Sequence, residues 1–286
     1  MKVNIRKVAI SSLLISGVAL IGASCSSDDE NHDENKSHKS SETSHSHSKP
    51  HASAASHSGS HAAHWSYSGE GAPHAWGQLK EEYATCSTGK SQSPIDISPV
   101  TVANIDDIKF DYKSSKVKLS NNGHTIKVSY DAGSSITVND KKYNLLQFHF
   151  HSPSEHTVGG KHYDMVAHLV HQATDGQLGV IGVMMKIGKE NYFLRQLWKN
   201  LPEASGEEFE SNSVKIRVEN LLPKSGTYFN YSGSLTTPPC SEGVNWMVLA
   251  QPVNVSEAQV KAFTDMFPLS VRPVQPLNGR VVKVKN

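Results

Sequence analysis

Two histidines one residue apart, His149 and His151, carry the clearest chemical signal in the sequence. They lie in 147–151, a run whose aromatic residues are typical of a β-strand. Side chains two residues apart on a strand point to the same face, so the two imidazoles can converge on one metal ion. The same pattern fits two ordinary polar or packing residues. However, Phe148 and Phe150 place the opposite face in a core and favour a formed cavity.

A third ligand is expected from the next predicted strand, 163–171, where Val166, His168 and Val170 share one face. This strand should be the antiparallel neighbour of 143–151, about 4.8 Å away. Three imidazoles that leave a fourth position open describe a catalytic zinc site, not a closed structural one. The sequence therefore predicts zinc on His149, His151 and His168.

The remaining elements must hold these strands in place. The predicted strands are 116–119, 125–130, 143–151, 163–171, 179–187 and 244–250. Asn122 and Gly123 between the first two are a strong hairpin signal. Two helices are predicted, 190–200 and 256–267, and the second begins with a capping box of Ser256 and Gln259. Without any βαβ repeat, the pattern predicts a mainly β (α+β) fold with a large, mostly antiparallel sheet and a few short helices.

Composition divides the 286 residues into a leader, a tail and one folded block, 65–286. Aromatic residues, glycines and alternating apolar residues begin at Trp65 and continue to the end, with no second linker. The formal net charge of +1 gives no general attraction to nucleic acid. We therefore expect one domain and no nucleic-acid partner.

Residues 1–25 have the features of an export signal. Lys2, Arg6 and Lys7 precede an apolar stretch, 8–21, that is short for a membrane span. Small residues then lead to Cys25, as at a bacterial lipoprotein cleavage site, although Gly22 departs from the usual pattern there. We expect a bacterial protein that is periplasmic or anchored in a membrane by lipid on Cys25. Ordinary secretion after nearby cleavage is the alternative.

The segment 26–64 is of low complexity, with eight histidines and twelve serines. It has too few apolar residues to bury a core and is expected to be a disordered linker. Its histidines either collect metal weakly or are merely solvated. Of the cysteines, Cys86 and Cys240 remain once Cys25 is set aside. In an exported chain they form either a disulfide or two free buried thiols.

The folded block resembles the alpha class of carbonic anhydrases along nearly all its length. The shared motifs, in order, are Gln-Ser-Pro-Ile-Asp at 92–96, Asn-Asn-Gly-His at 121–124, Gln-Phe-His-Phe-His at 147–151, Ser-Glu-His-Thr-Val at 154–158, His-Leu-Val-His at 168–171, Ser-Leu-Thr-Thr-Pro-Pro-Cys at 234–240 and Arg-Pro-Val-Gln-Pro-Leu at 272–277. The resemblance implies a ten-stranded twisted sheet and the reversible hydration of carbon dioxide to bicarbonate and a proton, by attack of zinc-bound hydroxide.

The resemblance also implies a role for each site residue. His149, His151 and His168 bind zinc, Thr236 accepts a hydrogen bond from the hydroxide and donates to Glu155, and His124 shuttles protons. Thr237 helps to bind bicarbonate, and Gln147 holds the zinc ligands in position without binding the metal itself. Carbon dioxide lies in a pocket of apolar residues, namely Val170, Val180, Leu235, Val244 and Trp246. Cys86 and Cys240 occupy positions that are bridged in exported members. The number of subunits stays open, with a dimer as one alternative.

Val166 departs from the family pattern. The family usually has a glutamate two residues before the third zinc histidine, where it accepts a hydrogen bond from the free ring nitrogen. Val166 lies on the same strand face as His168 but cannot accept a bond. Because such partners fix the orientation of a ligand, we expect zinc to bind but to leave faster than is normal in the family.

Two other functions remain as alternatives. The first is a catalytically inactive relative that serves as a binding module, although such relatives usually lack a zinc histidine. The second is a periplasmic zinc-binding protein that uses the histidine-rich tail.

Overall fold

The structure, a computed structural model, describes residues 64–285. The predicted signal 1–25 with Cys25, and residues 26–63 of the predicted linker, lie outside the described residues. Within 64–285, no helix is both long and apolar enough to cross a membrane. Strands contain 42% of the described residues and helices contain 15%, which confirms the prediction of a mainly β fold.

The elements of this part of the chain are short helices around many strands. The strands are β1 (Asp96–Ile97), β2 (Val100–Ala103), β3 (Lys109–Asp111), β4 (Ser115–Asn121), β5 (Ile126–Ser129), β6 (Ser135–Val138), β7 (Lys141–His151), β8 (Thr157–Val158), β9 (Met165–Ala173), β10 (Leu178–Ile187), β11 (Glu208–Ile216), β12 (Tyr228–Ser234), β13 (Glu242–Val255) and β14 (Val282–Lys285). The α-helices are α1 (Trp76–Leu79), α2 (Thr85–Thr88), α3 (Tyr192–Trp198) and α4 (Glu257–Thr264), and the 3₁₀ helices are Gly69–Gly71, Glu81–Tyr83 and Val218–Leu221.

One large twisted sheet organises the described residues. Ten of its twelve strands follow one another in the order β11-β4-β5-β7-β9-β10-β13-β12-β14-β2. Of the other two, β6 pairs with β7, and β3 pairs with β6. The pairs β10–β13 and β14–β2 are parallel, and the other pairs of this sheet are antiparallel. The prediction of a mostly antiparallel sheet is therefore confirmed.

The two faces of β9 separate as the alternation of its residues predicts. Leu169 lies in one apolar cluster together with Phe148 and Phe150 of β7. Val166 and Val170 lie in a second cluster, on the other face of the sheet. The phenylalanines on either side of His149 therefore fill the core, and the histidine face is left for the site.

Several predicted boundaries differ from the structure for local reasons. Helix α3 begins at Tyr192, later than predicted, because Asn191 caps it. The Asn191 side chain accepts hydrogen bonds from the backbone N–H groups of Phe193 and Leu194. Strand β13 runs beyond its predicted end at residue 250, because a register shift against β10 accommodates Pro252. The predicted capping box of Ser256 and Gln259 is confirmed at the start of α4.

Candidate metal centre

Strands β7 and β9 bring three histidines to one point. His149 is the direct partner of His168 across the two antiparallel strands, and His151 lies two residues further along β7. One ligand nitrogen from each ring lies within 4.8 Å of the other two. His151 and His168 are buried, whereas His149 is only partly buried and lines a cavity. The structure thus gathers the three ligands that the sequence predicts.

Hydrogen bonds behind two of the rings determine which nitrogen faces the centre. His149 donates from Nδ1 to Gln147 Oε1 at 2.9 Å, and His151 donates from Nδ1 to the Ser270 carbonyl at 2.6 Å. Each ring therefore keeps Nε2 free for a metal. Gln147 thus contacts the ring of one candidate ligand. The role of Ser270 could not be predicted from the sequence, because no local pattern marks a backbone carbonyl that lies far away in the chain.

The chemistry of the centre fits zinc. His151 Nε2 is buried without a hydrogen-bond partner among the described residues. Burial lowers the pKa of His149 and of His168 well below the ordinary imidazole value, and neighbouring histidines lower it further. These two rings are therefore neutral, which is the form that binds metal. Three imidazoles beside a cavity match a catalytic zinc site with one open position.

A buried carboxyl group, Glu155, lies beside the ligands. Its Oε2 is 3.5 Å from His151 Nε2 and 3.7 Å from His168 Nδ1. Burial raises the pKa of Glu155, while His151, the Arg272 N–H and the Thr236 hydroxyl lower it by less. Oε2 has no hydrogen-bond partner of normal geometry within 64–285, and the nearby Thr236 is buried.

Arg272 connects the carboxyl group to the disulfide. Its backbone N–H donates to Glu155 Oε1 at 2.9 Å, and its buried guanidinium donates to the carbonyls of Cys86 and Ser93 and to Gln92 Oε1. Burial lowers the pKa of Arg272 to about 10, although Glu155 raises it. Cys86 and Cys240 are bonded as a disulfide. Arg272 lies in one of the shared motifs, but no local pattern in the sequence indicates these contacts.

His124 lies at the turn between β4 and β5. Asn122 Oδ1 accepts from the N–H groups of His124 and Thr125, which fixes the turn. The His124 ring stacks on Trp65, with centroids 3.6 Å apart. Partial burial lowers the pKa of His124, and neighbouring His64 lowers it further.

A cavity of about 150 Å³ connects His124 with the metal centre. Thr237, His149 and His151 also line it. The five apolar residues that the resemblance assigns to carbon dioxide fall in one cluster: Val170, Val180, Val244 and Trp246 are buried, and Leu235 packs against them. The five apolar residues thus lie together in one cluster, while the polar residues His124 and Thr237 line the cavity.

His168, the third ligand, lacks the hydrogen-bond acceptor that His149 and His151 each have for the ring nitrogen turned away from the centre. Its Nδ1 faces Glu155, and its Nε2 is buried without a hydrogen-bond partner among the described residues. Val166, two residues before His168, is fully buried, and its side chain has no polar atom. Within 64–285, no protein group accepts a hydrogen bond directly from His168 Nε2.

The sheet and the three-histidine centre define a β-sheet protein with a candidate zinc site, and comparisons assign it to a family. Residues 71–286 match the family model of eukaryotic-type carbonic anhydrase. A carbonic anhydrase of Klebsiella pneumoniae is 46% identical over 217 residues, which cover 75% of this chain and 88% of that protein. The carbonic anhydrase of a Nostoc species is 42% identical over 219 residues, 75% of this chain and 83% of that protein.

This chain is also similar to a solved structure of a carbonic anhydrase. A hyperthermostable carbonic anhydrase from an active hydrothermal vent chimney is 50% identical, with a TM-score of 0.76, and the match covers 78% of this chain and 100% of that one. The chain belongs to the alpha-carbonic-anhydrase family.

Proposed function

We propose that the chain catalyses the zinc-dependent, reversible hydration of carbon dioxide to bicarbonate and a proton. The observation that carries the proposal is the three-histidine centre beside a cavity, in a chain of the carbonic anhydrase family. His149, His151 and His168 would hold the zinc. When bound, zinc supplies hydroxide at neutral pH, as is established for carbonic anhydrases.

Thr236 and Glu155 would orient the nucleophile. A threonine hydroxyl that donates its proton to a carboxylate can only accept a hydrogen bond from its other side. The Arg272 N–H occupies Oε1 of Glu155, which leaves Oε2 for Thr236. The pair therefore selects one direction for an incoming O–H group. Thr237, on the cavity wall, would bind the bicarbonate product.

The apolar cluster would hold the substrate. Carbon dioxide is apolar and gains little from polar partners, so a pocket of branched and aromatic side chains suits it. Val170, Val180, Leu235, Val244 and Trp246 form such a surface on the face of the sheet that also carries His168.

We expect His124→Ala to lower the maximal rate in weak buffer by roughly 10- to 100-fold, because a proton must leave the cavity in each cycle. The lowered pKa keeps this ring neutral at pH 7 and able to accept a proton. Stopped-flow hydration measures the effect, and added imidazole buffer should restore much of the rate. An unaffected variant would show that another group carries the proton. His64, whose ring lies 5.4 Å from that of His124, would then be the next variant to measure.

We expect Val166→Glu to slow zinc dissociation by about 10- to 100-fold, because the carboxylate would accept from His168 Nε2. This equals roughly 1.4 to 2.8 kcal/mol. The measurement is zinc transfer to a chelating dye, with Val166→Leu as the control that adds bulk but no acceptor. Equal dissociation rates for the glutamate variant and the unaltered protein would mean that the missing acceptor has already been replaced.

We also propose that the protein is exported and carries lipid on Cys25. The support is the positive, apolar and small-residue order of 1–25. Mass spectrometry of the mature N-terminus should find a lipid-modified cysteine as the first residue. An unmodified N-terminus elsewhere would indicate ordinary secretion.

Deletion of residues 26–63 separates the enzyme from a zinc-binding protein that relies on its tail. The enzyme should keep its hydration rate after the deletion, because the site lies within the described domain. Loss of zinc binding together with the tail would favour the other function. A folded, zinc-loaded protein without any hydration activity would indicate an inactive binding module.

A further inference from the structure

Two buried imidazole nitrogens, one on the third ligand and one on a neighbouring ring, have no partners in the described part of the chain. They are His168 Nε2 and His156 Nδ1, and neither has a hydrogen-bond partner among residues 64–285. The two rings lie 6.0 Å apart, and both pack on the Trp246 ring, at 4.9 and 4.6 Å. Buried polar atoms are rarely left unpaired, because each costs free energy. Two such atoms on neighbouring rings point to a shared partner.

The other nitrogen of His156 belongs to a chain of hydrogen bonds. His156 Nε2 lies 2.6 Å from Tyr231 Oη, which lies 2.8 Å from Ser93 Oγ. The Ser93 hydroxyl also accepts from the Ser234 N–H at 3.0 Å. If Tyr231 donates to Ser93, it must accept from His156. His156 then carries its hydrogen on Nε2 and has a lone pair on Nδ1.

We propose that His156 is a positioning residue for the third ligand, and that one buried water molecule connects its Nδ1 to the N–H of His168 Nε2. Two hydrogen bonds of about 3 Å each span roughly 5 to 6 Å, which fits rings at this separation. Such a water would satisfy both unpartnered atoms. The inference rests on the proposed zinc site, because zinc on Nδ1 of His168 is what places a hydrogen on Nε2.

The tautomer of His156 is the decisive feature. Hydrogen on Nε2 makes Nδ1 an acceptor, so His156 can orient His168 in place of a carboxylate. A hydrogen on Nδ1 of His156 would instead leave two N–H donors, one on His156 and one on His168. A group that only accepts hydrogen bonds would then fit between them better than water. Because the water and His156 are neutral, they support the ligand more weakly than a carboxylate would. An added carboxylate at Val166 should therefore still slow zinc release.

The first experiment determines the tautomer in the full zinc-loaded protein, by long-range ¹H–¹⁵N NMR of its histidine rings. We expect His156 to be protonated on Nε2 and not on Nδ1. Protonation on Nδ1 would overturn the inference. This measurement needs no variant, so it decides even if substitutions at this buried position prevent folding.

The second experiment compares zinc release from two variants. His156→Phe keeps a ring but removes the acceptor, and it should release zinc about 10-fold faster. His156→Asn places a carbonyl oxygen near the position of Nδ1 and should restore slow release. A folded phenylalanine variant with the release rate of the unaltered protein would contradict the role of His156.

Zinc content is measured before either comparison. Absence of stoichiometric zinc in the unaltered protein would overturn both the proposed function and this inference. Bound zinc and normal hydration, together with the Nδ1-protonated tautomer, would overturn this inference alone.

Discussion

Alanine at His149, His151 or His168 should reduce carbon dioxide hydration to the uncatalysed rate. Each ring supplies one of three ligand nitrogens that lie within 4.8 Å of one another, and two ligands do not hold zinc in a catalytic geometry. Each variant should also lose stoichiometric zinc. The measurements are stopped-flow hydration and metal analysis of the same purified samples.

An exposed histidine provides the matched control. His74 is outside the cluster, so His74→Ala removes the same atoms and should leave both hydration and zinc content unchanged. Near-normal activity in any of the three ligand variants would show that the metal is held in another way. Circular dichroism of each variant excludes unfolding as the cause of a loss.

Removal of the disulfide should have the largest effect on stability. Cys86 and Cys240 are separated by 154 residues, and the loop-entropy account gives roughly 4 to 5 kcal/mol as an upper range for so long a loop. In a domain of this size, that corresponds to a fall in Tm of about 8 to 20 °C. Activity should fall as well, because Cys240 follows Thr236 closely and Arg272 binds the Cys86 carbonyl.

The double variant Cys86→Ala, Cys240→Ala tests this prediction against a reducing agent. Reductant should lower the Tm of the unaltered protein towards that of the double variant, and it should not change the double variant itself. Free thiols in the native protein would contradict the prediction. So would an unchanged Tm in the double variant.

The strands that carry the ligands could be predicted because their signals are local. Alternation along 163–171 separates Val166 from Leu169, and the structure places these residues in different apolar clusters. The turn signal at Asn122 and Gly123 is likewise contained in adjacent residues, and β4 and β5 pair there. The pairing of His149 with His168 follows once β7 and β9 are antiparallel neighbours.

The supporting contacts could not be predicted, because they join distant segments. The Ser270 carbonyl orients His151 from 119 residues away. Arg272 reaches Cys86 across 186 residues. Backbone carbonyls have no sequence signature, and a buried arginine resembles an exposed one in sequence. The short strands β2 and β14 could not be predicted either, because their residues show no strong periodicity.

Zinc titration of the metal-free protein tests the central claim most directly. Zinc is removed with a chelator, hydration is measured, and zinc is then returned in steps. We predict no activity without metal and a linear rise that ends at one equivalent of zinc per chain. Full hydration by the metal-free protein, or no hydration at saturating zinc, would contradict it.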